Sequence, residues 1–193
     1  MKRFKPENLE PGLILAGRNP LGPYGIAIRA ALGSYTNHDG LIVDHIGRWY
    51  VAEAVAPYSR LAPLDEYEYK MNKDGYVCRI WRLVDASDAA RAAAAQYFIR
   101  NLLSLKYADY SIAKLAIFRL VNRLPWKLRI HGVWCTELVA RAWAAAAPGS
   151  LNRPDGSEKK NFTPRTLENR LVAGILEDVT PATIEDTTKL KGA

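Results

Sequence analysis

Residues 36–45, TNHDGLIVDH, and residues 49–55, WYVAEAV, flank the short segment Ile46-Gly47-Arg48. Both flanks are β-branched or aromatic at their centres, and a short glycine-bearing link between two such runs is a hairpin signal. An antiparallel pair is therefore expected, and its loop length has a chemical consequence. Across a two- or four-residue loop centred near residues 46 to 48, opposed positions sum to an odd number, 93 or 95, so His38 and Glu53 share a sheet face as diagonal or near-diagonal neighbours. Diagonal backbone positions lie about 7–8 Å apart, within reach of an imidazole meeting a glutamate. Glu53 sits in the apolar run Val51-Ala52-Glu53-Ala54-Val55, where an unpaired charge is unfavourable. A partner for it is expected, and an odd-length loop would remove that partner. His45 falls on the opposite face from His38, so no metal cluster of His38, Asp44 and His45 is expected, nor any other metal or cofactor site.

Outward from this hairpin, residues 12–17 (GLILAG) form a short apolar run with the length of a buried strand. A helical stretch follows over residues 24–32 and ends at Gly33. Residues 76–84 (YVCRIWRLV) alternate as a further strand, with Cys78 on its core side. Asp65, Glu66 and Glu68 read as a solvated turn. Ser87 is placed to cap a helix over residues 88–105, and residues 112–124 carry a second helical pattern stopped by Pro125. Residues 135–147 (CTELVARAWAAAA) form a strong helix closed by Pro148-Gly149. Residues 151–162 read as a polar loop, Thr163-Pro164 as the start of a short helix, and residues 175–179 as the last strand. The tail after Glu185 is expected to fray.

The strong helix begins at Cys135. Unpaired backbone N–H groups and the positive end of the helix dipole stabilise a thiolate at such a position. A small core residue opening a buried helix is the plainer alternative. Catalysis would require a histidine base and an acid to orient it, drawn from elsewhere in the chain. Three histidines exist, His38, His45 and His131. His131 has no nearby carboxylate in sequence to fix its tautomer and reads as surface or substrate-side. His38 with Glu53 supplies both requirements.

In chain order, Gly12-Leu13-Ile14-Leu15, Asn37-His38-Asp39-Gly40-Leu41-Ile42, Val51-Ala52-Glu53-Ala54-Val55, Leu64-Asp65-Glu66-Tyr67, Tyr107-Ala108-Asp109-Tyr110 and Trp134-Cys135-Thr136-Glu137-Leu138-Val139 resemble the permuted papain-like hydrolases of the NlpC/P60 superfamily, YiiX/YaeF-like branch. The ordered set spans about residues 11 to 143. The resemblance implies a circularly permuted papain-like α+β fold, an antiparallel sheet packed against helices. It also implies Cys135 as nucleophile, His38 as general base and acid, and Glu53 as the orienting residue. The cysteine helix is expected against the sheet face that carries His38 and Glu53. Three positions depart from the family pattern: Leu13 stands where an aspartate is usual, Asn37 where a serine precedes the histidine, and Thr136 where a serine follows the cysteine. The oxyanion of the implied thioester chemistry would take the Cys135 N–H, with Asn37 or the Trp134 indole as a second donor.

Composition agrees with such an enzyme. The 193 residues, 49% hydrophobic and 24% charged, suit one globular domain with a core over about residues 11–180. Two cysteines, with no CxxC, exclude a disulfide framework or a zinc module. The first residues, MKRFKPENLEPG, lack an apolar signal region, and no run approaches a membrane span, so a soluble, cytoplasmic protein is expected; signal-independent export or phage delivery is compatible with the same sequence. No GxSxG, P-loop, HExxH or GxGxxG occurs. The implied substrate is a peptide, of peptidoglycan type, or an acylated amine. Lipid acyl transfer or thioester cleavage on the same core is the nearest alternative. The net charge of +7 and the basic residues of 100–129 suit an anionic polymer or a membrane surface. A non-catalytic basic binding module is the remaining alternative, without any recognisable nucleic-acid motif.

Overall fold

The computed structural model describes residues 1–20, 23–106, 135–151 and 163–187. Six strands form one wholly antiparallel sheet: β2 (Ile14–Arg18), β3 (His38–His45), β4 (Arg48–Val55), β5 (Tyr58–Pro63), β6 (Val77–Leu83) and β7 (Leu176–Asp178), in the spatial order β5-β4-β3-β2-β6-β7. The chain is thus α+β, an antiparallel sheet packed against helices, as its residues imply. The deciding hairpin has a two-residue loop, Ile46-Gly47. Its register runs from His45 opposite Arg48 to Gly40 opposite Glu53, so opposed positions sum to 93.

Strict alternation along these strands splits the apolar residues between two faces. Ile14, Ala16, Leu41, Val43, Ala52, Ala54, Trp81 and Leu83 point to one side, where they pack with α3 (Asp88–Tyr97) through Ala94 and Ala95, with Phe98 just after it, and with α4 (Cys135–Ala146) through Leu138, Val139, Ala142 and Trp143. Leu15, Ile42, Val51, Ala62, Cys78 and Ile80 point to the other, under α2 (Leu64–Lys73) through Leu64, Tyr67 and Met71. Side chains on both faces explain why β3 and β4 read as nearly continuous hydrophobic runs rather than clean alternation.

Helix ends follow local chemistry. Ser87 Oγ accepts from the Ala90 N–H at 3.2 Å and opens α3, as expected. Thr163 and Thr166 form a reciprocal capping box at the start of α5 (Pro164–Val172). α1 (Pro23–Leu32) matches the helix expected there, and α6 is the single turn Thr180–Thr183.

Several expectations are corrected. Residues 64–73 are the helix α2 and not a turn, because Leu64, Tyr67 and Met71 recur at helical spacing and are buried while Asp65 and Glu66 occupy its first turn. α3 stops at Tyr97, and a π-type turn over Phe98–Leu102 follows instead of helix to residue 105. Residues 184–186 form β8 (Ile184–Asp186), paired with the N-terminal β1 (Lys2–Phe4), while residues 188–193 of the tail expected to fray lie outside the described residues. The helix that begins at Cys135 lies on the face opposite His38 and Glu53, because its buried stripe fits the Leu41–Val43–Ala54 side of the sheet. Residues 107–134 and 152–162, including the expected helix over 112–124, His131, Trp134 and most of the basic stretch, lie outside the described residues.

Candidate active site

His38 is the first residue of β3, and its side chain lies on the α2 face. Gly40, two residues further on, is directly opposite Glu53, which makes His38 and Glu53 diagonal neighbours. The imidazole Nε2 meets Glu53 Oε2 at 2.5 Å. Glu53 is only 1% exposed, so its charge must be matched locally. Arg60, opposite it on β5, donates through Nε to Oε1 at 2.9 Å, and the buried Tyr67 hydroxyl of α2 donates to Oε2. Arg60 is itself held by Glu66 at 2.7 Å, and Glu66 by Lys70 at 2.7 Å. Burial pushes the Glu53 carboxyl up, but hydrogen bonds from His38 and Tyr67 and the charges of His38 and Arg60 outweigh it, leaving its pKa at about 2. The carboxylate is ionised and fully bonded, which fixes the ring it holds.

Cys135 reaches the same imidazole from the other side of the sheet. It is the first residue of α4, whose N-terminal end meets the beginning of β3, and it is 5% exposed. Burial works to lower the His38 pKa. The neighbouring Cys135 thiol, together with the hydrogen bond and charge of Glu53, reverses this and raises it to about 10. One imidazole is thus bonded to a buried carboxylate and influenced by a nearby thiol. With Nε2 committed to Glu53, Nδ1 is the nitrogen left for the sulfur.

The remaining residues singled out by sequence have other placements. Asn37 Oδ1 accepts from the Asn19 N–H at 2.9 Å, and the Asn37 N–H donates to the Gly17 carbonyl at 2.9 Å, so this side chain ties the entry of β3 to the exit of β2. Trp134 lies outside the described residues. His45 turns to the opposite face and packs edge-on against Tyr50, ring centroids 6.3 Å apart. Cys78 is buried in the core, and burial pushes its thiol up to about 12. Among the described residues no group of three or more histidine, cysteine, aspartate or glutamate side chains could hold a metal ion.

Sequence reasoning missed Arg60 and Tyr67. The signal for Arg60 was present: the odd-sum rule that joined His38 to Glu53, applied across the next two-residue loop, places Arg60 directly opposite Glu53. Tyr67 stood only within the family-like fragment Leu64-Asp65-Glu66-Tyr67, with no role attached, because only the packing of α2 on the sheet brings its hydroxyl to the carboxylate.

No protein family and no curated protein matches the chain. Among solved structures it is similar to the metalloprotein YiiX from Escherichia coli O157:H7, with a TM-score of 0.52 and 19% identity over 89% of this chain and 97% of that one. At this identity the likeness is one of fold, and it is compatible with the papain-like arrangement. No helix among the described residues is long and apolar enough to cross a membrane.

Proposed function

We propose that the chain is a cysteine hydrolase of the permuted papain-like, NlpC/P60-related type, cleaving an amide bond in a peptide of peptidoglycan kind or in an acylated amine. What supports this above all is one imidazole, His38, shared between the thiol of Cys135 and the buried, three-donor carboxylate of Glu53.

The proton of the Cys135–His38 pair rests on the imidazole, whose pKa is raised to about 10, and the sulfur attacks the substrate carbonyl carbon. The carbonyl oxygen becomes an oxyanion beside the Cys135 backbone N–H, one of the unpaired donors at the start of α4. As the tetrahedral centre collapses, the carbon–nitrogen bond breaks and the His38 imidazolium gives its proton to the departing amine, leaving a thioester on Cys135. His38 then accepts a proton from water, whose oxygen attacks the thioester carbon. The acid leaves, and the Cys135–His38 pair has its proton back. Glu53 stays ionised throughout and stabilises the imidazolium in both halves.

YiiX is described as a metalloprotein. Among the described residues, those around His38 do not fit a metal site: both Glu53 oxygens and the His38 Nε2 are bonded to each other, to Arg60 and to Tyr67.

The test is incubation of the purified protein with soluble peptidoglycan fragments and, separately, with N-acylated amines, alongside C135A. Release of acid and amine by the wild type alone, with an acyl group trapped on Cys135 by acid quench, is the expected result. An acylated lipid amine in place of free acid would redirect the activity to acyl transfer. Equal turnover by C135A would overturn the assignment of Cys135.

A further inference from the structure

Immediately after His38 in the chain is Asp39, and immediately after Cys135 is Thr136. The Thr136 hydroxyl donates to Asp39 Oδ2 at 2.5 Å. Both side chains are 0% exposed and lie beneath α4, on the sheet face away from the imidazole. Asp39 Oδ1 is also buried and has no hydrogen-bond partner among the described residues. For stability alone this is a poor arrangement, since a well-packed apolar pair would avoid desolvating a carboxyl.

From this geometry we infer that Asp39 and Thr136 are positioning residues, a clamp that sets the height of α4 along β3 and thereby brings the Cys135 sulfur to the His38 ring. The inference rests on the proposal that Cys135 and His38 are the reactive pair. Apolar contacts through Leu138, Val139, Ala142 and Trp143 hold α4 against the sheet but are non-directional, so they tolerate sliding of the helix along its axis. A single short hydrogen bond one residue from each reactive group does not. Neither clamp residue needs to touch substrate.

Asp39 also titrates in a useful range. Burial raises its pKa most; the Thr136 hydrogen bond and His38 charge lower it and Glu168 raises it, with the balance at about 6. The charged and titratable groups around it are His38 on its own strand, Glu168 from α5 and, more weakly, Tyr76 before β6; Ala16 faces it on β2 and Thr136 on α4. The clamp therefore changes charge near neutrality while the Thr136 hydroxyl can donate to either form.

The experiment is the rate of Cys135 alkylation by iodoacetamide, followed by peptide mass spectrometry, with Cys78 as internal reference and thermal melting to establish folding. T136V, T136A and D39A are expected to slow Cys135 about 10–100-fold, as sub-ångström to ångström misplacement of reacting groups does. T136S, which restores the donor, is expected to return the rate to within about twofold of wild type. The double variant D39A/T136V is expected to be no slower than the slower single, because both remove one interaction. D39N keeps an acceptor for Thr136 and should abolish any inflection near pH 6 in the wild-type profile. Wild-type rates in folded T136V, T136A or D39A, with H38A slowed, would overturn the clamp and leave the reactive pair standing. A wild-type rate in H38A would remove the pair and the clamp with it.

Discussion

Glu53 Oε2 lies 2.5 Å from His38 Nε2 although the two residues are on different strands, and the two-residue loop Ile46-Gly47 is what makes them meet. The carboxylate balances an imidazolium, and an amide in its place would not. E53Q is expected to lower kcat for any substrate found by about 10²–10⁴-fold, the range seen when the orienting acid of a catalytic triad loses its charge. Steady-state kinetics against C135A as the zero reference checks this.

The same loop carries a stability defect. Ile46 has φ 55 and Gly47 φ 69, both in the left-handed region, and Ile46 is 88% exposed. Glycine adopts this region freely, but a β-branched residue is disfavoured there by about 1–2 kcal/mol. Asparagine tolerates the first position of such a turn. I46N is expected to stabilise the protein by about 1 kcal/mol, read as a rise of about 2–4 °C in Tm for a chain of this size. Activity should be unchanged, since Ile46 points into solvent at the far end of the hairpin.

Gly17 lies opposite His38 on β2, and a methyl group built there would sit 1.9 Å from the Tyr76 hydroxyl. Tyr76 packs edge-on against Tyr67, ring centroids 5.8 Å apart, and Tyr67 donates to Glu53. G17A is therefore expected to lose about 1–3 kcal/mol by overpacking and to slow Cys135 chemistry through the displaced tyrosines. Y76F in the same background removes the nearest atom and leaves a ring carbon at 2.7 Å, so partial recovery of Tm is expected. Full wild-type stability in G17A alone would contradict the packing.

Stability should depend on pH in opposite senses at Glu53, His38 and Asp39. The folded-state pKa of Glu53 is lowered from 4.5 to about 2, so its contribution is present above about pH 4.5 and is lost as pH falls toward 2. That of His38 is raised from 6.5 to about 10, so its contribution is full below about pH 6.5 and is lost as pH rises through 10. Asp39, raised from 3.8 to about 6, favours the folded state most below about pH 4 and loses that advantage as pH passes 6. Urea melts across pH should show E53Q losing the acid limb. D39N should gain stability relative to wild type above about pH 6.

Much of this site was legible because period-two alternation and loop parity are local properties of sequence. Residues 36–55 fixed the His38–Glu53 pairing, and Cys135 was marked by its place at the start of a helix. The face on which α4 packs was not legible. A helix with a buried stripe can cover either side of a sheet whose residues are apolar on both, as Leu41 and Ile42 illustrate. For the same reason the acidic residues 65–68 concealed α2, whose helical stripe of Leu64, Tyr67 and Met71 is narrow. The Asp39–Thr136 bond arises only once α4 is docked on β3.

The most direct measurement is the pH dependence of Cys135 alkylation in wild type and H38A, with Cys78 followed in the same digests. An ordinary thiol slows about tenfold for each pH unit below its pKa of about 8.5. The wild-type Cys135 rate is expected to stay nearly level from about pH 8 down to about pH 6, and H38A to show the ordinary steep fall. A steep fall in the wild type, identical to that of H38A, would contradict the assignment of His38 as the base that activates Cys135.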